Sequence, residues 1–339
     1  MKMAKSKHAF ACAAIRITVA VLSAGSLAVS TSAQPLRPQL TRTKHGRGRL
    51  KIGAVKNRVS ATGMVVTTGL SATSLASTLA GTGVTISGTP TLQGAAEQAG
   101  TFTNAPAIVG FSSGIILSSG NAGDAAFDYE GEDLPDTDED GPGYDPLNAL
   151  INNQATNDAA VLQFSFIPTS STIYFKYVFA SAEYPNYVGQ YNDPMALFVN
   201  GTNPGNNVAI LPTTPPVAVT INNVNVSANA AYFNKYNGAG DLLPFGGETK
   251  ALTAIAQVNA GQVNTITLAV ADALDDALDS AVFIQASSLS TTPPPAPPPT
   301  TQAAPALSPI PFALLGIILL ASGAIFVRHS RTSNARQAR

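Results

Sequence analysis

Two adjacent runs of this chain alternate large apolar residues with a period of two, and that period fits a β-strand. In 160–167, Leu162, Phe164 and Phe166 fall on one face; in 172–180, Ile173, Phe175, Tyr177 and Phe179 do the same. Successive side chains of a strand point to opposite sides, so each run has one apolar face to bury. Pro168-Thr169-Ser170-Ser171 lies between them, and so short a turn-rich connection predicts an antiparallel hairpin. Other short segments rich in β-branched and aromatic residues recur at 84–87, 107–117, 195–199, 208–211, 217–221, 252–258, 263–271 and 281–286. One helix is read near 71–80, where Leu75 and Leu79 lie four apart. The expected fold is mostly β: an antiparallel, jelly-roll-like β-sandwich with one short N-terminal helix and long acidic loops. No internal repeat is evident, which disfavours a propeller or solenoid.

The two ends of the chain have other compositions. Lys2, Lys5 and Lys7 precede a mostly apolar run at 17–29, and Thr31-Ser32-Ala33 places small residues before Gln34. Residues 1–33 read as a secretory signal peptide cut after Ala33; an uncleaved membrane anchor is the alternative. Cleavage would remove Cys12, the only cysteine, so the exported fold would rely on its core or on bound ions rather than on disulfides. Residues 34–59 form a basic arm, with eight Lys and Arg and no acid in 37–58 and little apolar periodicity. Residues 291–309 contain Pro293-Pro294-Pro295-Ala296-Pro297-Pro298-Pro299 and read as an extended polyproline stalk. Residues 310–327 are free of charge and precede Arg328, Arg331, Arg336 and Arg339. This pattern predicts a C-terminal transmembrane helix with a basic cytoplasmic tail at 328–339, leaving the rest outside. A sorting signal removed during transfer to another anchor fits the same residues.

One globular region remains, at 60–290, and its charge is lopsided. All twenty acidic residues of the chain lie within it, opposed only by Lys176, Lys235 and Lys250, so the formal sum is 3 − 20 = −17. Such a domain argues against nucleic acid as a partner. Neither a Gly-x-Gly-x-x-Gly turn nor a Walker loop occurs, so nucleotide binding is not expected.

Several of its segments together resemble a known family. They are Asn157-Asp158-Ala159-Ala160-Val161-Leu162-Gln163-Phe164-Ser165-Phe166-Ile167-Pro168, Tyr177-Val178-Phe179-Ala180-Ser181-Ala182-Glu183-Tyr184-Pro185 and Asn192-Asp193-Pro194-Met195-Ala196-Leu197-Phe198. They are followed by 217–225, by Leu268-Ala269-Val270-Ala271-Asp272 and by Leu278-Asp279-Ser280-Ala281-Val282-Phe283. In order and spacing these resemble the choice-of-anchor L domain, in which one extracellular domain is followed by varied C-terminal anchoring signals. Ala182 departs from the usual Ser-Glu-Glu-Tyr of that family, so one carboxylate of the pair is missing. The resemblance implies an exported, anchored surface domain and brings no established catalytic activity with it.

The candidate chemistry lies in two acidic groups. Ten acids crowd 124–145 without a Lys or Arg, and such a run repels itself unless water, salt or a metal screens it. Asp136, Asp138 and Asp140 before Gly141 resemble the first half of a calcium loop, but the twelfth position is Leu147 instead of Glu. Asp145, Glu132 or a backbone carbonyl would have to complete the shell. A solvated acidic loop is the other reading. The second group is Asp272, Asp275, Asp276 and Asp279. On a helix these like charges would repel, whereas a turn holding an ion, or a polar turn alone, would accommodate them. Asp158, Glu183, Asn192 and Asp193 sit at strand ends and can join either group in space, with turn or backbone capping the simpler role for Asp158 and Asp193. The expected metal is calcium, with Asp136, Asp138, Asp140, Asp145, Asp272, Asp275, Asp279, Glu183 and Asp193 as candidate ligands.

Between residues 60 and 289 there is no His, Cys or Trp, which removes a Ser-His-Asp triad, a Cys-His dyad and a His-ligated zinc. The function expected is therefore a non-enzymatic, calcium-stabilised surface domain in adhesion or extracellular matrix interaction, binding a surface glycan or protein ligand. The alternative is a carbohydrate-active module, either lectin-like through calcium and Tyr184, Tyr187 and Tyr191, or hydrolytic through paired carboxylates.

Overall fold

Leu162, Phe164 and Phe166 do bury the same core as Ile173, Phe175, Tyr177 and Phe179, but they reach it from a different sheet. The computed structural model describes residues 63–129, 131 and 134–294. The expected signal peptide, basic arm, membrane helix and tail lie outside the described residues, as does the stalk beyond Pro294. Among the described residues no helix is long and apolar enough to cross a membrane.

In chain order the strands are β1 (Val65–Thr68), β2 (Val84–Gln93), β3 (Ala99–Thr103), β4 (Ser113–Ser118), β5 (Thr156–Pro168), β6 (Thr172–Ser181) and β7 (Met195–Val199). They continue with β8 (Ile210–Leu211), β9 (Val217–Ala218), β10 (Phe233–Tyr236), β11 (Gly247–Thr249), β12 (Leu252–Gln257), β13 (Asn264–Ala273) and β14 (Ser280–Gln285). One sheet of eight strands runs β1-β3-β4-β14-β6-β11-β10, with β12 also on β6; a sheet of four runs β2-β5-β13-β7; β8 and β9 form a separate ribbon. Every strand pairing is antiparallel. Eight strands and four exceed the eight in total of a jelly roll.

The expected hairpin is thus corrected. β5 pairs with β2 and β13, β6 pairs with β14, β11 and β12, and Pro168 to Ser171 carries the chain from one sheet to the other. Alternation identifies which face of a strand is buried but not which strand lies beside it. Here the two apolar faces meet across the core, joined by Ile266, Leu268 and Val270 of β13 and by Val282 and Ile284 of β14. Each such side chain, fully buried, favours the folded state by ~1.5–3 kcal/mol.

The outer faces are also covered, which is why the central strands are apolar on both sides. Val178 and Ala180 of β6 join Phe283, Phe102, Phe111 and Phe245 in a second cluster. Val161, Ala269 and Phe198 pack with Leu147 in a third; Leu147 belongs to α3 (Asp145–Asn148). The expected N-terminal helix is α1 (Ala72–Leu79): the Ser71 hydroxyl accepts from the Ser74 amide at 3.2 Å, and Leu75, Ala76 and Leu79 enter the main core.

The segment expected as one strand at 107–117 divides. Its first part is α2 (Pro106–Val109), closed by Gly110 at φ 79°, and β4 begins only at Ser113. Proline suits the first helical turn and glycine suits the left-handed position after it, and together they override the β-propensity of Ile108 and Val109.

Candidate functional site

The strand registers gather one set of polar residues at one end of the two sheets. Ser280 opens β14 opposite Ser181, the last residue of β6, and Ala281 faces Ser118, the last of β4. Asp272, near the end of β13, faces Asn157 near the start of β5, and Met195 at the start of β7 faces Val270. Strand ends far apart in sequence therefore converge, and with them Asp158, Glu183, Asp193, Asp272 and Asp279, all buried.

Their contacts form two linked layers. In the inner layer, Ser119 Oγ donates to Asp272 Oδ1 at 2.6 Å and accepts from Ser280 N at 2.9 Å. Ser280 Oγ donates to Asp193 Oδ2 at 2.6 Å, while Asp193 Oδ1 accepts from Ala273 N at 2.9 Å. Gln98 braces this layer by donating to the carbonyls of Ser119 and Asp158. In the outer layer, the acidic segment around 135–142 lies across the strand ends. Asp279 Oδ1 accepts from Thr137 N at 3.0 Å, Asp279 N donates to Pro135 O at 3.0 Å, and Asp136 Oδ1 accepts from Leu278 N at 3.0 Å. Asp158 accepts from the amides of Glu139 and Gly141. The Asp279 carboxylate lies so close over Gly120 that a Cβ there would fall 2.0 Å from Oδ2, so only glycine leaves room for it.

The two acidic groups seen in the sequence are thus brought together. Asp136, Asp272, Asp279, Asp193 and Asp158 belong to one network, and Glu183 is buried just beyond the end of β6. Others lie outside it or at its rim. Asp138 Oδ1 accepts from Asp140 N at 2.7 Å, and both residues are exposed. Asp145 begins α3 and accepts from Asn148 Nδ2 at 3.2 Å. The Asp275 carbonyl accepts from Asn157 Nδ2 at 2.8 Å. Residues 274–279 form an irregular, bent connection, not a helix, with Leu274 and Leu278 at positive φ. Asp136, Asp138 and Asp140 lie in a stretch without regular secondary structure, with Asp140 at φ 51°. Among the described residues no three His, Cys, Asp or Glu side chains are placed together to hold a metal ion.

Burial governs the electrostatics. It pushes the Asp272 carboxyl well above the usual range, reinforced by the charges of Asp193 and Asp279. Asp279 is pushed well up by burial and by Asp136, Asp124 and Asp158, against the Thr137 amide. Asp158 rises to about 6 and Glu139 to about 7, each chiefly through desolvation. Removing a carboxylate from water disfavours its charged form unless donors or a cation replace the water. Each of the two innermost acids keeps one oxygen, Asp272 Oδ2 and Asp279 Oδ2, without a hydrogen-bond partner.

Ser119, Ser280 and Gln98 were not apparent from the sequence. Their signal is positional: each lies at the end of a strand or just outside it, where a small or amide side chain reaches a neighbouring strand end. One expectation changes with the structure. Tyr184 is 1% exposed, and its hydroxyl donates to Val224 O, so it presents no sugar platform. Ala182, where the family motif carries an acid, packs with Leu243 and Phe245 in the second cluster, a setting that would desolvate a carboxylate.

A family model for the choice-of-anchor L domain matches residues 63–290. No curated protein and no solved structure matches the chain.

Proposed function

We propose, for a chain that belongs to the choice-of-anchor L domain family and is therefore of an exported, surface type, that it is a non-enzymatic module for adhesion or matrix interaction, stabilised by calcium. On this reading the domain stands off a membrane on the proline-rich stalk and is held by residues 310–327. The observation that carries the calcium part is the set of buried carboxylates at one end of the sheets, two of which retain an oxygen without a hydrogen-bond partner. Calcium is favoured because the site offers only hard oxygen donors. The non-enzymatic part draws on the same burial. Asp272 and Asp279 are 0% exposed, so no sugar reaches them as a hydrolytic pair would require.

Thermal unfolding of the chain with calcium and with chelator tests the ion. At a calcium concentration about 100 times the dissociation constant, stability rises by about 2.7 kcal/mol; an unchanged midpoint rejects calcium. Binding of the chain to arrayed glycans and matrix proteins, with and without calcium, tests adhesion. Turnover of any arrayed sugar overturns the non-enzymatic reading.

A further inference from the structure

We propose that a single calcium-class cation binds inside the domain, between Asp272 Oδ2 and Asp279 Oδ2, and that its binding clamps the 135–142 segment onto the 272–280 turn. The inference rests on the calcium reading above and assigns the ion a place different from the exposed Asp136, Asp138 and Asp140 series.

Four observations lead there. First, the opposite oxygen of each acid is already fixed: Asp272 Oδ1 by the Ser119 hydroxyl, and Asp279 Oδ1 by the Thr137 amide. The second oxygens have no hydrogen-bond partner although both residues are fully buried. A bare carboxylate oxygen in so dry a place costs far more than one facing water, and a cation offsets that cost. Second, the charge of Asp279 reaches Asp272, and Asp158 adds to both, so one ion can relieve them together. Third, the outer acids Asp136, Asp138 and Asp140 are exposed, so water screens their charge where it cannot reach the inner pair. Asp138 Oδ1 accepts from the Asp140 amide, Asp136 Oδ1 accepts from the Leu278 amide, and Asp140 faces solvent. Fourth, two carboxylates balance one divalent charge, and calcium completes its shell of 6–8 oxygens with carbonyls, hydroxyls or water. A third acid is not required for that charge balance.

The clamp follows from connectivity. Asp279 holds the acidic segment through Thr137 and through its own amide to Pro135 O, and Leu278 holds it through Asp136. An ion that fixes the Asp279 carboxylate therefore fixes the segment.

The test is a titration of the full chain with calcium chloride after chelation, by calorimetry, for the wild type and for D272N, D279N, D138N and D140N. The wild type takes up calcium, and D272N and D279N bind it about 10–100-fold more weakly or worse. D138N and D140N bind as the wild type does. Wild-type affinity in D272N and D279N, or loss confined to D138N and D140N, overturns the inference while leaving calcium binding intact. No uptake by the wild type overturns both. Should the inner variants fail to fold, hydrogen exchange on the unaltered chain decides. Calcium slows exchange at the Thr137 and Leu278 amides; slowing only elsewhere rejects the clamp.

Discussion

Two regions of this domain bury carboxylates, and they accommodate the charge in opposite ways. Glu248, on β11, is 2% exposed, yet Oε1 accepts from Asn234 Nδ2 at 2.7 Å and Oε2 from Asn237 Nδ2 at 2.6 Å. Burial raises its pKa, while those amides and Lys235 pull it back. At the other site Asp272 and Asp279 are equally buried, but each has one oxygen without a hydrogen bond and acids for neighbours. Burial alone therefore does not mark a functional carboxylate. A buried acid whose oxygens are both donated to by amides is a structural element, whereas one that keeps an unshared oxygen among like charges is suited to an ion or a proton.

Four perturbations distinguish the two carboxylate sites, in order of decreasing effect. Phe175→Ala empties the core that both regions share, and a loss of about 3–5 kcal/mol in denaturant unfolding is expected, equal with calcium and chelator. A loss that depends on calcium would mean that the core and the acidic end are not separable.

Next is pH. In chelator, the raised pKa of Asp158, about 6, lies above its unfolded value, so its contribution to stability is fully present below about pH 4 and is lost as pH rises through about 6. Glu139, raised to about 7, acts in the same direction. Metal-free protein is thus expected to be more stable in mild acid than at pH 8, by less than the two shifts would give unscreened, because water reaches Glu139, and Asp158→Asn should flatten the profile. Stability that falls on acidification would show that these carboxylates are held charged.

Asn237→Ala leaves Glu248 Oε2 without its donor, and a loss of about 1–3 kcal/mol is expected, the same with and without calcium. This variant converts the satisfied acid into one like Asp279, so a newly acquired calcium response would sharpen the contrast further. The smallest effect belongs to Asp138→Asn, on the exposed rim, within about 0.5 kcal/mol by thermal unfolding.

Much of this was legible in the sequence, and the reasons are physical. Period-two patterning placed most strands and their buried faces, and Leu75 with Leu79 marked α1. Patterning does not encode neighbours, so the 168–171 connection reads as a hairpin in the sequence although it crosses between sheets. At 107–110, proline and glycine overrode apparent strand propensity. The two acidic groups were visible as composition, but their union depends on strands paired at long range, such as β14 with β4 and β6. Ser119 carried no motif, and Ser280 stood only within a family segment that gave it no role. Their roles exist only once the strand ends are abreast.

The order of strands also bears on how such a chain is exported. β14, the last strand in sequence, lies in the interior of the larger sheet between β4 and β6, and β13, just before it, lies between β5 and β7. Neither sheet can close until the final residues of the domain are available. A polypeptide emerging N-terminus first would therefore lack an interior strand of each sheet until late in its passage, and its acidic end would assemble only when Asp272 to Gln285 had crossed.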